Sequence, residues 1–251
     1  MKHPVVIESL QLILAGDIEG AERALVAIAE EEGDHALVAV LDQMPPKDLL
    51  AVMREFDSSK ESLVNMVVTP EQFARAIVLE KKYGDRTGEK LRAMMNAVIH
   101  RDSHTVGEYL EEIANLEGGY ETLADYFQDR FEEILHFATA GTFTLEFDHE
   151  AFESIKSITL LAERLEEIDE SLGFGDAIAS SKPKVARPEI ADGDWMETAW
   201  VLRHELEDEF EQIVMALRDR WQRLIEAQLL AEAGPQAAKQ NVEDDTEESA
   251  I

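Results

Sequence analysis

"MPPKDLLAVMREFDSSKESLVNMVVTPEQF", Met44 to Phe73, is the stretch on which the fold turns. Within it Pro46-Lys-Asp48, Ser59-Lys-Glu61 and Pro70-Glu-Gln72 stand 13 and 11 residues apart, and each has the form of a helix start. Proline at a first helical position gives up no hydrogen bond, because that amide would be unpaired in any case. An early carboxylate faces the positive end of the helix dipole. Ser58 to Glu61 and Thr69 to Gln72 also have capping-box spacing, in which each side chain bonds the other's backbone amide. An apolar set follows each start: Leu49, Leu50, Val52 and Met53; Leu63, Met66 and Val67; Phe73, Ala76 and Ile77.

Helices of two or three turns are too short to persist alone in water. They must lean on neighbours, which is the logic of a stack of helices in file. The pattern extends in both directions. Upstream, Pro4 to Ala15 predicts a first helix, Asp17 caps a second that runs to about Glu32, and "HALVAVLDQM" predicts a short third. Downstream come a helix from about Thr87 to His100, a Thr105–Glu108 capping box before "YLEEIANLE", and a long helix "YETLADYFQDRFEEILHFATA" after Gly118-Gly119. "TFTLEFD" alternates Phe143, Leu145 and Phe147 with polar residues and reads as an extended connector whose aromatics plug the core. His149 to Leu172 predicts a long helix with Phe152, Ile155, Ile158, Ala162, Leu165, Ile168 and Leu172 on its buried stripe.

The expected architecture is therefore all-α: a right-handed, solenoid-like stack of short helices over residues 1–172, a linker over 173–194, and a long helix over 195–233. The linker is rich in Gly, Ser and Pro and carries Lys182, Lys184 and Arg187. In the last helix Ala199, Leu202, Leu206, Phe210, Ile213, Leu217, Trp221 and Leu224 step by 3, 4, 4, 3, 4, 4 and 3 residues. That rhythm suits a nearly straight helix that packs back on the N-terminal half or pairs with a second copy as a homodimer. Residues 234–251, acidic and poor in large apolar side chains, predict a disordered tail.

"LDQMPPKDLLAVMREFD" and the two starts after it, about residues 38–81, resemble the cytosolic N-terminal superhelical domain of MgtE-type magnesium transporters, itself related to the helical repeat of the flagellar motor-switch protein. The resemblance implies a superhelix of short helices and an acidic surface that responds to cations or holds a neighbouring domain. No transmembrane helix follows here, and none of the transporters' magnesium ligands can be placed on these residues.

Charge narrows the partners. The 251 residues include 54 acidic against 23 basic, a formal charge of -31. That excess opposes direct nucleic-acid binding, which needs a basic footprint, and docking on anionic membranes. It permits cations, basic protein surfaces, or proteins that normally hold DNA. No apolar run reaches membrane-spanning length. The absence of cysteine fits a reducing cytosol and excludes thiolate metal sites, so the expected location is cytoplasmic.

Few residues point to chemistry. Glu133 and His136 have the Glu-x-x-His spacing that puts a carboxylate and an imidazole on one helical face, as in di-metal carboxylate bundles. Glu32 and His35 repeat the spacing across the Gly33-Asp34 break. His100 and His104 flank a helix boundary and read as capping cations. "RHELEDEFE", Arg203 to Glu211, reads as a solvated face bearing His204. No phosphate loop, nucleophile elbow or HExxH motif is present. Trp195, Trp200 and Trp221 all fall in the last helix and are candidates for a partner surface or for core packing. The expected function is that of a non-enzymatic interaction or adaptor protein that needs no cofactor and favours a basic protein partner. The alternatives are a divalent-cation-responsive regulatory domain and an acidic DNA mimic that antagonises a DNA-binding protein. A helical metalloenzyme would require Glu133 and His136 to hold metal.

Overall fold

A computed structural model of the chain describes residues 2–56, 62–83, 88–143, 166, 170, 173–180 and 182–247, with side chains excepted at 80–90, 174, 180 and from 228 onward. Every regular element among the described residues is helical: α1 Pro4–Leu14, α2 Ile18–Glu32, α3 Asp34–Leu41, α4 Pro46–Glu55, α5 Leu63–Val67, α6 Pro70–Tyr83, α7 Gly88–Ile99, α8 Val106–Ala114, α9 Gly119–Phe127, a 3-10 turn Gln128–Arg130, α10 Phe131–Ala140, α11 Phe174–Ser180, α12 Arg187–Ile190, α13 Trp195–Glu205 and α14 Glu207–Glu247. The Ser58–Glu61 box, most of the "TFTLEFD" connector, Asp148 to Glu150 and nearly all of the predicted helix 149–172 lie outside the described residues.

Contacts run in succession along the N-terminal half. α2 packs on α4, α4 on α6, and α6 on α8, while α3 touches α5, α5 touches α7, and α7 touches α9. The side chains between them form one buried core that begins at Val6 and ends at Ile225.

Local chemistry makes these short elements possible. The Asp17 carboxylate accepts from the Gly20 amide at 2.8 Å and starts α2. Thr69 and Gln72 close the predicted box, with the Thr69 amide on Gln72 Oε1 at 3.1 Å and the Gln72 amide on Thr69 Oγ1 at 3.3 Å. Gln72 then reaches from α6 to α3 and the residue after it, donating from Nε2 to the Val38 carbonyl at 3.2 Å and to Asp42 Oδ1 at 2.6 Å. α5, five residues long, has almost no ladder of its own. The Tyr109 hydroxyl donates to the Val68 carbonyl at 2.6 Å, and Arg101 donates to the carbonyls of Asn65 and Val68. Orphan carbonyls at the end of one helix are thus satisfied by side chains from the next layer.

Several expectations are corrected. The segment after Ser59 buries Val64 while leaving Met66 62 % exposed, because the helix starts at Leu63 and its inner face is set by that later start. Thr105 precedes α8 without a side-chain cap; its hydroxyl bonds back to the Asp102 carbonyl at 3.2 Å. The long helix predicted from Tyr120 is broken by the 3-10 turn, whose tighter winding changes the phase of the buried faces. As a result α9 meets α7 and α14, while α10 meets α11 and α14. The last helix breaks as well: Leu206 takes φ -135°, ψ 61° between α13 and α14. Glu207, Asp208 and Glu209 follow it, and three acids in a first turn stabilise a new helix start.

Residues 173–194, expected to be a linker, carry two helices and are held against the body. The Lys184 amide donates to the Gly141 carbonyl at 2.8 Å, and Arg203, 5 % exposed, donates to the Ile178 carbonyl. Gly141 has φ 78°, and a Cβ there would meet the Lys182 carbonyl, so glycine alone fits the join.

Two substitutions test this account by urea unfolding. Gln72→Ala removes both the cap and the bridge to α3, and we expect a loss of about 1–3 kcal/mol. Leu14→Gln, on a side chain 83 % exposed, should stay within about 0.5 kcal/mol of the parent.

Candidate functional site

Among the described residues, two places concentrate polar or aromatic side chains. The first is a buried network where α13 closes on α7 and α9. Tyr126, fully buried on α9, donates its hydroxyl to Asn96 Oδ1 on α7 at 2.7 Å and lies 3.0 Å from Thr198 Oγ1 on α13. Asn96 in turn donates to Asp194 at 2.6 Å. His100, just past α7, places Nε2 2.9 Å from Thr198 Oγ1 and Nδ1 3.5 Å from Glu197. Glu197 is 5 % exposed and receives Arg187 at 3.0 Å and the Gly193 amide at 3.0 Å. Arg187 also donates to the Ser103 carbonyl at 2.7 Å and lies over the Trp200 ring at 5.9 Å.

Burial dominates the electrostatics here. It lowers the pKa of His100 from its ordinary value, an effect opposed by Glu197, Asp192 and Asp194 and reinforced by Arg187. Burial raises the pKa of Tyr126, which stays a neutral donor and acceptor. His100 thus belongs to an internal junction and does not act as a capping cation, because its ring is carried under α13. His104 is exposed, with its amide on Asp102 Oδ1 at 2.9 Å.

The second place is an open cleft of about 490 Å³ between the α9–α10 corner and α14, lined by Gln128, Asp129, Arg130, Phe131, Glu132, Glu133 and Trp221. Its aromatic wall is Phe131 stacked on Trp221, with centroids 5.1 Å apart and planes at 28°. The wall is clamped from behind by Arg220, which donates to Asp125 at 2.6 Å, Gln128 at 3.2 Å and the Glu121 carbonyl at 2.9 Å. At the lip, Asp129 is 3.6 Å from Arg92, and Arg130 bonds Glu133 at 3.1 Å. Trp221 Nε1 is buried without a hydrogen-bond partner.

Glu133 bonds Arg130 in the cleft at 3.1 Å, and His136 Nε2 lies 3.2 Å from Thr142 Oγ1. Glu32 and His35 are both exposed on either side of the α2–α3 break. No group of three or more potential metal ligands occurs among the described residues. Trp195 is 9 % exposed and meets Phe143 edge-on at 5.5 Å, beneath the Arg130 guanidinium. Trp200 donates to the Val185 carbonyl at 2.8 Å. Trp221 is the tryptophan that lines the cleft. Arg203, read in the sequence as part of a solvated face, is buried, because the break at Leu206 turns its side chain under α11.

Sequence reasoning did not single out Asn96, Tyr126, Asp194, Glu197 or Thr198. The bonds that join α7 to α9 and α13 here, Asn96 to Tyr126 and Asp194 and His100 to Thr198, span 30 to 98 residues, beyond the reach of local spacing. No helix among the described residues is long and apolar enough to cross a membrane. Comparison with known proteins finds no matching family model, no similar curated protein and no similar solved structure.

The buried network makes a pH prediction. With its pKa lowered on folding, His100 binds fewer protons in the folded than in the unfolded chain. Stability should therefore be full above the ordinary imidazole value of 6.5 and fall as pH drops below it. Urea unfolding across this range should show a shallower decline for His100→Gln than for the parent. At neutral pH, Tyr126→Phe should cost about 1–3 kcal/mol by stranding Asn96 and Thr198.

Proposed function

We propose that this chain is a non-enzymatic protein-interaction protein, an adaptor whose acidic surface receives a basic partner. One observation carries the reading. Among the described residues, His100, Tyr126 and Glu197, which could serve acid–base chemistry, are buried beneath α13 and held by Thr198, Asn96 and Arg187, whereas the chain as a whole carries a formal charge of -31. A field of that sign speeds encounter with cationic surfaces and repels phosphate backbones. The succession of short helices supports the same reading, since stacked helices present broad surfaces to partners. We place its action in the cytoplasm, where a chain without cysteine is at home.

The test is affinity capture from the native host, followed by reconstitution of any captured protein from purified components. The expected result is a stoichiometric complex with a protein carrying a basic surface. Its dissociation constant should weaken steeply between about 50 and 500 mM salt, as screening shortens the reach of exposed charges. Co-purification of stoichiometric iron or zinc would overturn the reading. So would a thermal midpoint raised by millimolar magnesium but not by potassium chloride of equal ionic strength, which would indicate a cation-responsive domain.

A further inference from the structure

We propose that the cleft between the α9–α10 corner and α14 is a docking site for an arginine-bearing segment of the partner, its guanidinium packing on the Trp221 ring between the carboxylates of the lip. This inference rests on the adaptor reading and names the place where the basic partner is held.

The shape and the charge both point to this occupant. A volume of about 490 Å³ falls within the range that holds small ligands, and the cleft is open along one side, so it suits a side chain that enters while still attached to a backbone. The aromatic surface open to it is Trp221, backed by the buried Phe131 ring. The lining brings Asp129, Glu132 and Glu133 together against a single internal cation, Arg130. Asp129 remains 54 % exposed while lying 3.6 Å from Arg92. Anionic segments and lipid phosphates would meet like charge at this lip.

The chain's own packing shows that such an arrangement holds guanidinium groups. Arg101 lies 5.1 Å from the centre of the Tyr109 ring, Arg130 lies 5.5 Å from that of Trp195, and Arg203 lies 5.6 Å from that of Phe210. Arg130 joins both features in one residue, with one face on an indole and its edge on Glu133. An incoming guanidinium on Trp221 would repeat that geometry across an interface. Arginine is preferred over lysine because its flat, weakly hydrated group stacks on a ring while its fork engages carboxylates, whereas an ammonium keeps its water.

Fluorescence anisotropy with a labelled peptide of three arginines alternating with glycine, beside its lysine counterpart, tests the proposal on the full chain. The expected result is that E132Q/E133Q weakens arginine-peptide binding by about tenfold or more. E30Q/E31Q, which removes the same charge from the exposed end of α2, should change it by about twofold or less. In a proton–nitrogen correlation spectrum, the indole signal lost in Trp221→Phe should move on titration while those of Trp195 and Trp200 stay in place. Equal losses in the two double variants, or in neither, would assign binding to diffuse charge and end the cleft proposal while leaving the adaptor reading intact. Lysine peptide binding as tightly as arginine would refute the guanidinium preference. No binding of either peptide at about 50 mM salt would sink both the cleft and the basic partner.

Discussion

A helix of five residues, such as α5, has almost no hydrogen-bond ladder, and most of its carbonyls and amides would be orphaned if it stood alone. Everything else in this protein depends on how neighbours answer that deficit. Arg101 and Tyr109 reach from the α7–α8 region to the carbonyls that end α5, and Arg203 reaches from α13 to the last turn of α11. In each case a long polar side chain supplies from another layer what the local backbone cannot. The apolar faces follow the same rule and merge into one core.

The same constraint separates the two polar centres. The network of Asn96, His100, Tyr126, Glu197 and Thr198 lies where α13 closes on α7 and α9, and hydrogen bonds link its members under heavy burial, while His100 Nδ1 lies 3.5 Å from Glu197 without a hydrogen bond. Such a network contributes to a unique fit because a half-satisfied version would be costly. The cleft lies where the α9–α10 helix is interrupted, and it is there that side chains are left facing solvent. A break that costs helical hydrogen bonds also turns Asp129, Glu132 and Glu133 around an aromatic wall, which a continuous helix would have spread along its length.

How much of this was legible depended on the range of each interaction. The Thr69–Gln72 box and the Asp17 cap were readable because both partners lie within one turn. The apolar stripe of the last helix was readable too, and Phe210, Ile213 and Leu217 are fully buried along it. The interruption at Leu206 was missed, although Glu207-Asp208-Glu209 is a helix-start signal in plain view, because the unbroken rhythm of apolar residues outweighed it. The tie of residues 173–194 to the body was missed because glycine, serine and proline look alike in a free linker and in a docked strap. Arg187 on Glu197 and Lys184 on Gly141 distinguish the two, and both are tertiary contacts.

By itself, the amino-acid sequence determined that the chain is helical, that many of its helices are too short to stand alone, and that its surface is strongly acidic. Those properties follow from spacing, capping and composition, all of which act within a few residues or are sums over the chain. Only the tertiary structure decided where helices break, that His100 is buried against Glu197, and that Trp221 lines the cleft. Burial and long-range pairing set those outcomes, and both depend on which helices meet.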